Sequence, residues 1–350
     1  MRAGEELVPM TPDQLRKIFA EGEPEWLLQP AMTSCDGDKV VQVLDTQSYF
    51  DLMHQPYPAN RDSVLERFVR EKLIKSEGAG WTITNLGAIL FAKKLEDFDK
   101  LAQKAPRVIL YEGMNKLKTK HDQIGGKGYA VGFQGLVLYV DGLLPSNEVI
   151  EQALRREVKM FPEIAVRELV ANALIHQDFT ERGSKILIEI YSDRMEISNP
   201  GNPFIPPERF IDAYQSRNER LADLMRRLGI CEEKGSGVDK VIEAAEAFQL
   251  PAPDFRVSER RTIVVLFAHK DIEDMDRNDR IRACYQHCCL RYVMNERMNN
   301  QSLRERFKLP EHKSATVSQI IAATVEAGKI KLADPTQTST RYRSYVPFWA

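Results

Sequence analysis

Apolar residues recur at helical spacing along FPEIAVRELVANALIHQDF (161–179). Val166, Leu169, Val170, Ala173 and Leu174 fall on one face about 140° wide, and Glu168, Asn172 and His176 follow one another at i, i+4 and i+8 along its edge. A carboxylate and an amide beside a core-facing stripe are costly to bury unless each has a partner; a metal, a water and a phosphate form one such set. Downstream, SKILIEIYSDRMEISNPG (184–201) alternates as two strands joined at Ser192-Asp193. A helix over 218–229 follows, then a glycine turn into a second helix (233–248) and a strand (260–268). Upstream, the pattern predicts a strand at 107–113, a Gly/Lys-rich loop at 115–133, read as mobile or as a lid over a ligand, and a helix at 133–144. This order predicts an α+β fold, with helices on one face of a mixed sheet.

The flanks carry their own patterns. Residues 1–55 read as a lead-in with too little for an independent core, a remnant of an upstream domain or a bare lead-in, with a short helix at 11–20 (Thr11 as N-cap, Pro12 at N1), an apolar segment (EPEWLLQPAM) and a strand at 38–45. Residues 56–100 read as a small helix-plus-wing unit: a helix at 61–74, a turn at 77–80 and a strand starting the 80–92 stretch. It suits a nucleic-acid-binding winged helix or a structural spacer. Residues 101–270 form the α+β domain, and 274–350 read helix (278–295), helix (299–307), helix (314–328), strand (329–333), strand (341–348). That last order is winged helix-turn-helix, with Asn299 or Asn300 capping the second helix, Ser314 capping the third and Gly328 ending it. The third helix would offer Ser314, Thr316, Ser318 and Gln319 to a major groove, with Lys313 on a phosphate and Arg341 and Arg343 on the wing.

Composition narrows the class. With 43% apolar and 29% charged residues, no apolar run near 18 residues and no signal peptide, the chain reads as a cytoplasmic globular protein with no membrane partner. Five cysteines without C-x-x-C spacing suit reduced thiols. Cys284, His287 and Cys288 share a helix face that is either a buried seam or a metal contact. The net charge of −2 hides an asymmetry: residues 275–350 hold 13 Lys/Arg against 7 Asp/Glu, a balance of +6 that favours a nucleic-acid footprint. No G-x-x-x-x-G-K-[ST] pattern occurs, so no P-loop motor is encoded.

Four pieces in order resemble the ATP-binding Bergerat fold of the gyrase/Hsp90/histidine-kinase/MutL (GHKL) superfamily: E-L-V-A-N (168–172), I-S-N-P-G (197–201), G-S-G (235–237) and RRTIVVLF (260–267). More narrowly, RELVANALIHQDF, DRMEISNPG and LGICEEKGSGVDKV resemble the bacterial RecG-like, transcriptional-regulator-type proteins in which a Schlafen-type AlbA_2 domain precedes such a module. The resemblance implies a two-layer α/β sandwich followed by a winged helix, the downstream part of such a protein, taking ATP and Mg²⁺ as cofactors and DNA as partner. It implies Glu168 as the general base toward a γ-phosphate, Asn172 as the Mg²⁺ ligand, Asn199 and Gly201 at the adenine, and Gly235 and Gly237 at the phosphates. Lys234 would add charge there, and His176 would contact ribose or phosphate. The sequence departs from that pattern in placing Asn199 where the superfamily has Asp, in Asn202-Pro203 replacing a second glycine, and in a short lid. The implied function is an ATP-responsive DNA-binding regulator with slow hydrolysis at most. A nucleotide-independent scaffold and a partner-stimulated ATPase are the alternatives, and a homodimer is left open.

Overall fold

A computed structural model describes residues 2–3, 6–7, 25–78, 80–151, 154–231 and 236–350. The chain divides into two compact units, Met1–Ala102 and Gln103–Ala350. Among the described residues there are eleven α-helices, none long and apolar enough to cross a membrane.

In the first unit, β1 (Arg2–Ala3) pairs with β2 (Glu6–Leu7), and the 11–20 helix lies outside the described residues. Strand β3 (Pro30–Cys35) leads into α1 (Gly37–Val43) and α2 (Thr46–Leu52). The strand expected at 38–45 is therefore a helix. Asp36 caps it by accepting from the Lys39 amide, and Val40 and Val43, one turn apart, are buried, so V-x-x-V spacing outweighs the apparent alternation. Helix α3 (Arg61–Arg70) is followed by β4 (Ile74–Glu77), β5 (Gly80–Thr84) and α4 (Asn85–Phe91), so the 80–92 stretch starts as a strand and ends as a helix. The sheet order β3-β5-β4 and the burial of Tyr49 and Phe50 build residues 25–55 into the same unit as 56–100.

The second unit holds a six-stranded mixed sheet of order β12-β13-β11-β10-β6-β7. Its strands are β6 (Arg107–Tyr111), β7 (Thr119–Ile124), β10 (Leu187–Ile190), β11 (Arg194–Pro200), β12 (Asp254–Ser258) and β13 (Arg261–Phe267). Only β6 and β10 run parallel. Part of the expected 115–133 loop is β7, an exposed edge strand whose Asp122 pairs with Arg107 of β6; helix α5 (Tyr129–Leu143) starts within the same stretch. Strands β8 (Ser146–Glu151) and β9 (Leu154–Lys159) form a separate hairpin. Helix α6 (Glu163–His176) is buried along most of its length and packs on β11 and on α8 (Gly237–Ala247), with α7 (Glu219–Arg227) nearby: Arg167 of α6 donates to the Gly229 and Ile230 carbonyls just past α7.

The chain ends with α9 (Arg277–Val293), α10 (Asn300–Arg306), α11 (Ser314–Glu326) and the antiparallel pair β14 (Ile330–Leu332) and β15 (Tyr345–Pro347). Asn299 caps α10 in a capping box with Ser302. Ser314 is the first residue of α11 and not its cap, because Lys313 occupies the cap position with no side-chain bond. These helices share an apolar core with Ile242 of α8 and with Ile211 and Ala252, so residues 274–350 are packed within the second unit.

Candidate functional site

Helix α6 sets the site. It stops at His176 because Asn218 Nδ2 takes the carbonyls of Ile175 (2.6 Å) and Gln177 (2.8 Å), while Gln177 Nε2 donates to Tyr129 Oη at 2.8 Å. One face then turns Glu168, Asn172 and His176 toward a cavity of about 130 Å³. Glu168 is only 4% exposed; Asn172 and His176 are half-buried. Arg167 and Arg194 make their own contacts. Arg167 lies over Phe133, and Arg194 lies over Tyr191 and pairs with Asp193 and Glu196.

The floor comes from two neighbouring strands. Asn199 of β11 stands opposite Thr262 of β13 in antiparallel register, and both line the cavity with Ile197 and Val264. Asn199 is 6% exposed, and its Nδ2 donates to the Pro200 carbonyl at 3.2 Å. Thr262 Oγ1 donates to the Gly201 carbonyl at 2.9 Å. Gly201 itself is not a wall residue. Its φ of +98° and the 2.7 Å that a Cβ would leave to Asp178 Cβ make it a required turn, which swings Asn202, Pro203 and Phe204 into the outer wall.

Glycine 237 closes the arrangement. It is the first residue of α8, and a Cβ there would lie 2.8 Å from Glu168 Oε2 and 3.5 Å from Asn172 Nδ2. The start of α8 therefore lies against the carboxylate and amide of α6. Lys234 and Gly235 lie outside the described residues.

Sequence reading passed over the outer wall. Arg217 stacks over Phe204 at 4.3 Å, pairs with Asp178 at 3.1 Å and donates to the Asn202 carbonyl at 2.7 Å. Tyr214 meets His176 edge-on with ring centroids 6.2 Å apart. Thr262 was equally unmarked; its signal is strand register, which only the paired sheet supplies. Burial, with the Arg217 charge as a second cause, pushes the His176 imidazole down to about 4. His176 is thus neutral in the folded cleft at pH 7.

The unfolded chain protonates this histidine near its ordinary value of 6.5 and the folded one only near 4, so the stability it contributes is full above 6.5 and is lost as pH falls toward 4. His176→Gln is expected to flatten the fall of melting temperature between pH 6.5 and 4. An unchanged slope in a thermal melt series would contradict the neutral histidine.

The C-terminal residues named from sequence are arranged differently from one another. Ser314 and Ser318 are tied to Asn300 of α10, at 3.1 and 2.9 Å, and so fix the α10–α11 packing. Gln319 is exposed and Thr316 half-buried, while Lys313 Nζ lies 4.0 Å from Glu273. Arg341 sits in the Thr340–Tyr342 turn; Arg343 Nε is buried without a partner among the described residues. Cys284, Cys288 and Cys289 are buried in the helix seam, and His287 lies between Glu246 and Ser302. Among the described residues no group of three or more His, Cys, Asp or Glu is placed to hold a metal.

No curated protein matches the chain. The DIP2311 protein from Corynebacterium diphtheriae has a crystal structure similar in fold, with a TM-score of 0.57 and 17% identity over 99% of this chain and 69% of that one. Residues 183–266, from before β10 to the end of β13, match the family model described as "Putative ATP-dependent DNA helicase recG C-terminal". With the six-stranded mixed sheet and its helices, that similarity supports an ATPase-family assignment for the second unit.

Proposed function

We propose that the cleft between α6, α8 and the β11–β13 floor binds a magnesium–nucleotide, and that the C-terminal segment is a winged helix that binds DNA under its influence. The observation that carries the first half is Gly237. A helix N-terminus held against a buried carboxylate and an amide at a cavity mouth brings backbone N–H donors to a place where phosphate charge is favoured. The donor chemistry fits: Asn172 offers a hard amide oxygen, which suits an ion that keeps most of its waters, and Glu168 offers a carboxylate to one of those waters. Bound Mg²⁺ would supply positive charge beside the phosphates.

The chain's own groups take distinct parts. Asn172 would hold the ion through its amide oxygen, and Glu168 would orient a water and accept its proton. Asn199 and Thr262 would meet the base with neutral donors and acceptors, and neutral His176 would meet ribose or phosphate. The order of α9, α10, α11 and the β14–β15 pair supports the winged-helix reading, and the basic balance of that segment supports DNA as its partner. Of the residues expected to touch DNA, exposed Gln319 is the one best placed to read a base edge, because Ser314 and Ser318 are engaged with Asn300.

Calorimetric titration of Mg-ATP is expected to show binding by the native protein and at least about tenfold weaker binding by Asn172→Ala, a difference near 1.4 kcal/mol. No heat and no thermal shift with either protein would leave the second unit as a nucleotide-independent scaffold for DNA or protein contacts.

A further inference from the structure

Three segments that wall the cleft end in contacts with the C-terminal segment. Helix α8 starts at the cleft with Gly237 and, about 13.5 Å along its axis, reaches Glu246. There Glu246 Oε2 lies 3.0 Å from His287 Nδ1 of α9, and Oε1 lies 3.4 Å from Arg306 Nε of α10. Arg306, only 5% exposed, also donates to the Leu250 carbonyl at 2.6 Å, and His287 Nε2 lies 3.2 Å from Ser302 Oγ.

The outer wall is held in the same way. Tyr285 Oη of α9 donates to the Glu208 carbonyl, the Glu208 carboxylate lies 3.4 Å from Lys329 Nζ, and the Arg209 guanidinium stacks over Trp349 at 4.8 Å. A third grip lies at the approach to β12, whose Phe255 lines the cavity. Arg282 Nε and Gln286 Nε2 of α9 donate to the Ala252 and Pro253 carbonyls at 3.0 and 2.7 Å. A segment swinging on a pliable linker would be blind to the cleft. One gripped at three of the cleft's own walls must move when they move, because packed interiors shift as units and deform little.

We propose that the C-terminal helices sense occupancy of the cleft through α8 and the 202–217 wall, with the Glu246–Arg306–His287 cluster as the coupling element. The proposal rests on the nucleotide reading of the cleft. Closure on a ligand draws in the Gly237 end of α8 and the Phe204–Arg217 wall. The His287–Glu246 and Tyr285–Glu208 hydrogen bonds pass that displacement to α9, and the Glu246–Arg306 ion pair with the Arg306–Leu250 hydrogen bond passes it to α10. Coupling is reciprocal, so a ligand on the C-terminal helices changes affinity at the cleft by the same factor.

The test is hydrogen exchange on the full chain with and without Mg²⁺ and a non-hydrolysable ATP analogue, in the native protein and in Glu246→Gln/Arg306→Met. The double variant removes both charges of the pair together, since removing Glu246 alone strands buried Arg306, and it leaves His287 an acceptor in Gln. In the native protein, exchange is expected to slow in α6 and α8 and also to change by about fivefold or more in α10 and α11. In the double variant the α6 and α8 response and the analogue's affinity stay, and the α10–α11 response is lost. Protection at α6 and α8 that stops at Ala247 in the native protein overturns the coupling while the nucleotide reading stands, as does a response that survives in the double variant. No protection anywhere overturns the nucleotide reading and the coupling with it.

Discussion

Gly87→Ala is expected to disrupt the first unit, lowering its stability by about 3 kcal/mol or more. A Cβ at this position would lie 2.1 Å from the Leu73 carbonyl oxygen, 2.9 Å from its carbon and 3.1 Å from the Leu73 Cα. All three are backbone atoms, and the oxygen already accepts from the Thr84 amide at 3.0 Å and the Thr84 hydroxyl at 2.9 Å. Helix α4 cannot accept a methyl group without backing away from the turn into β4, and both Thr84 bonds lengthen when it does. At roughly 4–8 °C per kcal/mol for a unit of this size, the melting transition should fall by at least about 12 °C, with accelerated hydrogen exchange across residues 61–91. Gly135→Ala is the control. No atom lies within 4 Å of a Cβ in that exposed interior position of α5, so alanine should gain up to about 1 kcal/mol through helix propensity. Equal effects from the two substitutions would refute the close approach at Gly87.

The contrast between those glycines marks what the sequence discloses. Helices α6, α7 and α9 to α11 are legible because period, caps and glycine stops agree, as at Asn299 and Gly328. The α1 segment misleads because D-K-V-V-Q-V scans equally as alternation or as one helical turn, and the Asp36 cap decides it. Strand β7 is hidden because T-K-H-D-Q-I has no buried face. It exists by pairing with β6 at the sheet edge, where exposed lysines suit an unpaired rim. β12 passes unread for a related reason: its five residues follow prolines, and it lies at the other rim.

At the cleft the same division holds. Glu168, Asn172 and His176 are legible because one helix carries all three on one edge. Thr262 and Arg217 are not, because each enters through partners far along the chain: Asn199 across a strand pair, Asp178 and Phe204 across a loop. The Glu246–Arg306 pair spans 60 residues and has no local signature at all.

Gly237→Ala is expected to abolish useful nucleotide affinity, by about a hundredfold or roughly 2.7 kcal/mol, while the fold holds. The new methyl group would stand 2.8 Å from Glu168 Oε2, a contact real Cβ atoms essentially never make. Glu168 is buried, so its carboxylate must rotate away from the start of α8 or push that helix outward. Either movement separates the backbone N–H groups of α8 from the Glu168–Asn172 pair. Alanine in the first turn gains helix propensity in partial compensation, so the melting temperature should change little while binding collapses. A purely structural glycine predicts the opposite split, with melting temperature and affinity falling together. Glu168→Ala added to Gly237→Ala restores the space. If the clash is the cause, Mg-nucleotide binding should recover in the double variant even though Glu168, placed here for proton transfer and not for binding, is gone. Calorimetry on the three variants decides it: recovery assigns Gly237 to the ligand's approach, and persistent loss assigns the binding itself to the Glu168 carboxylate.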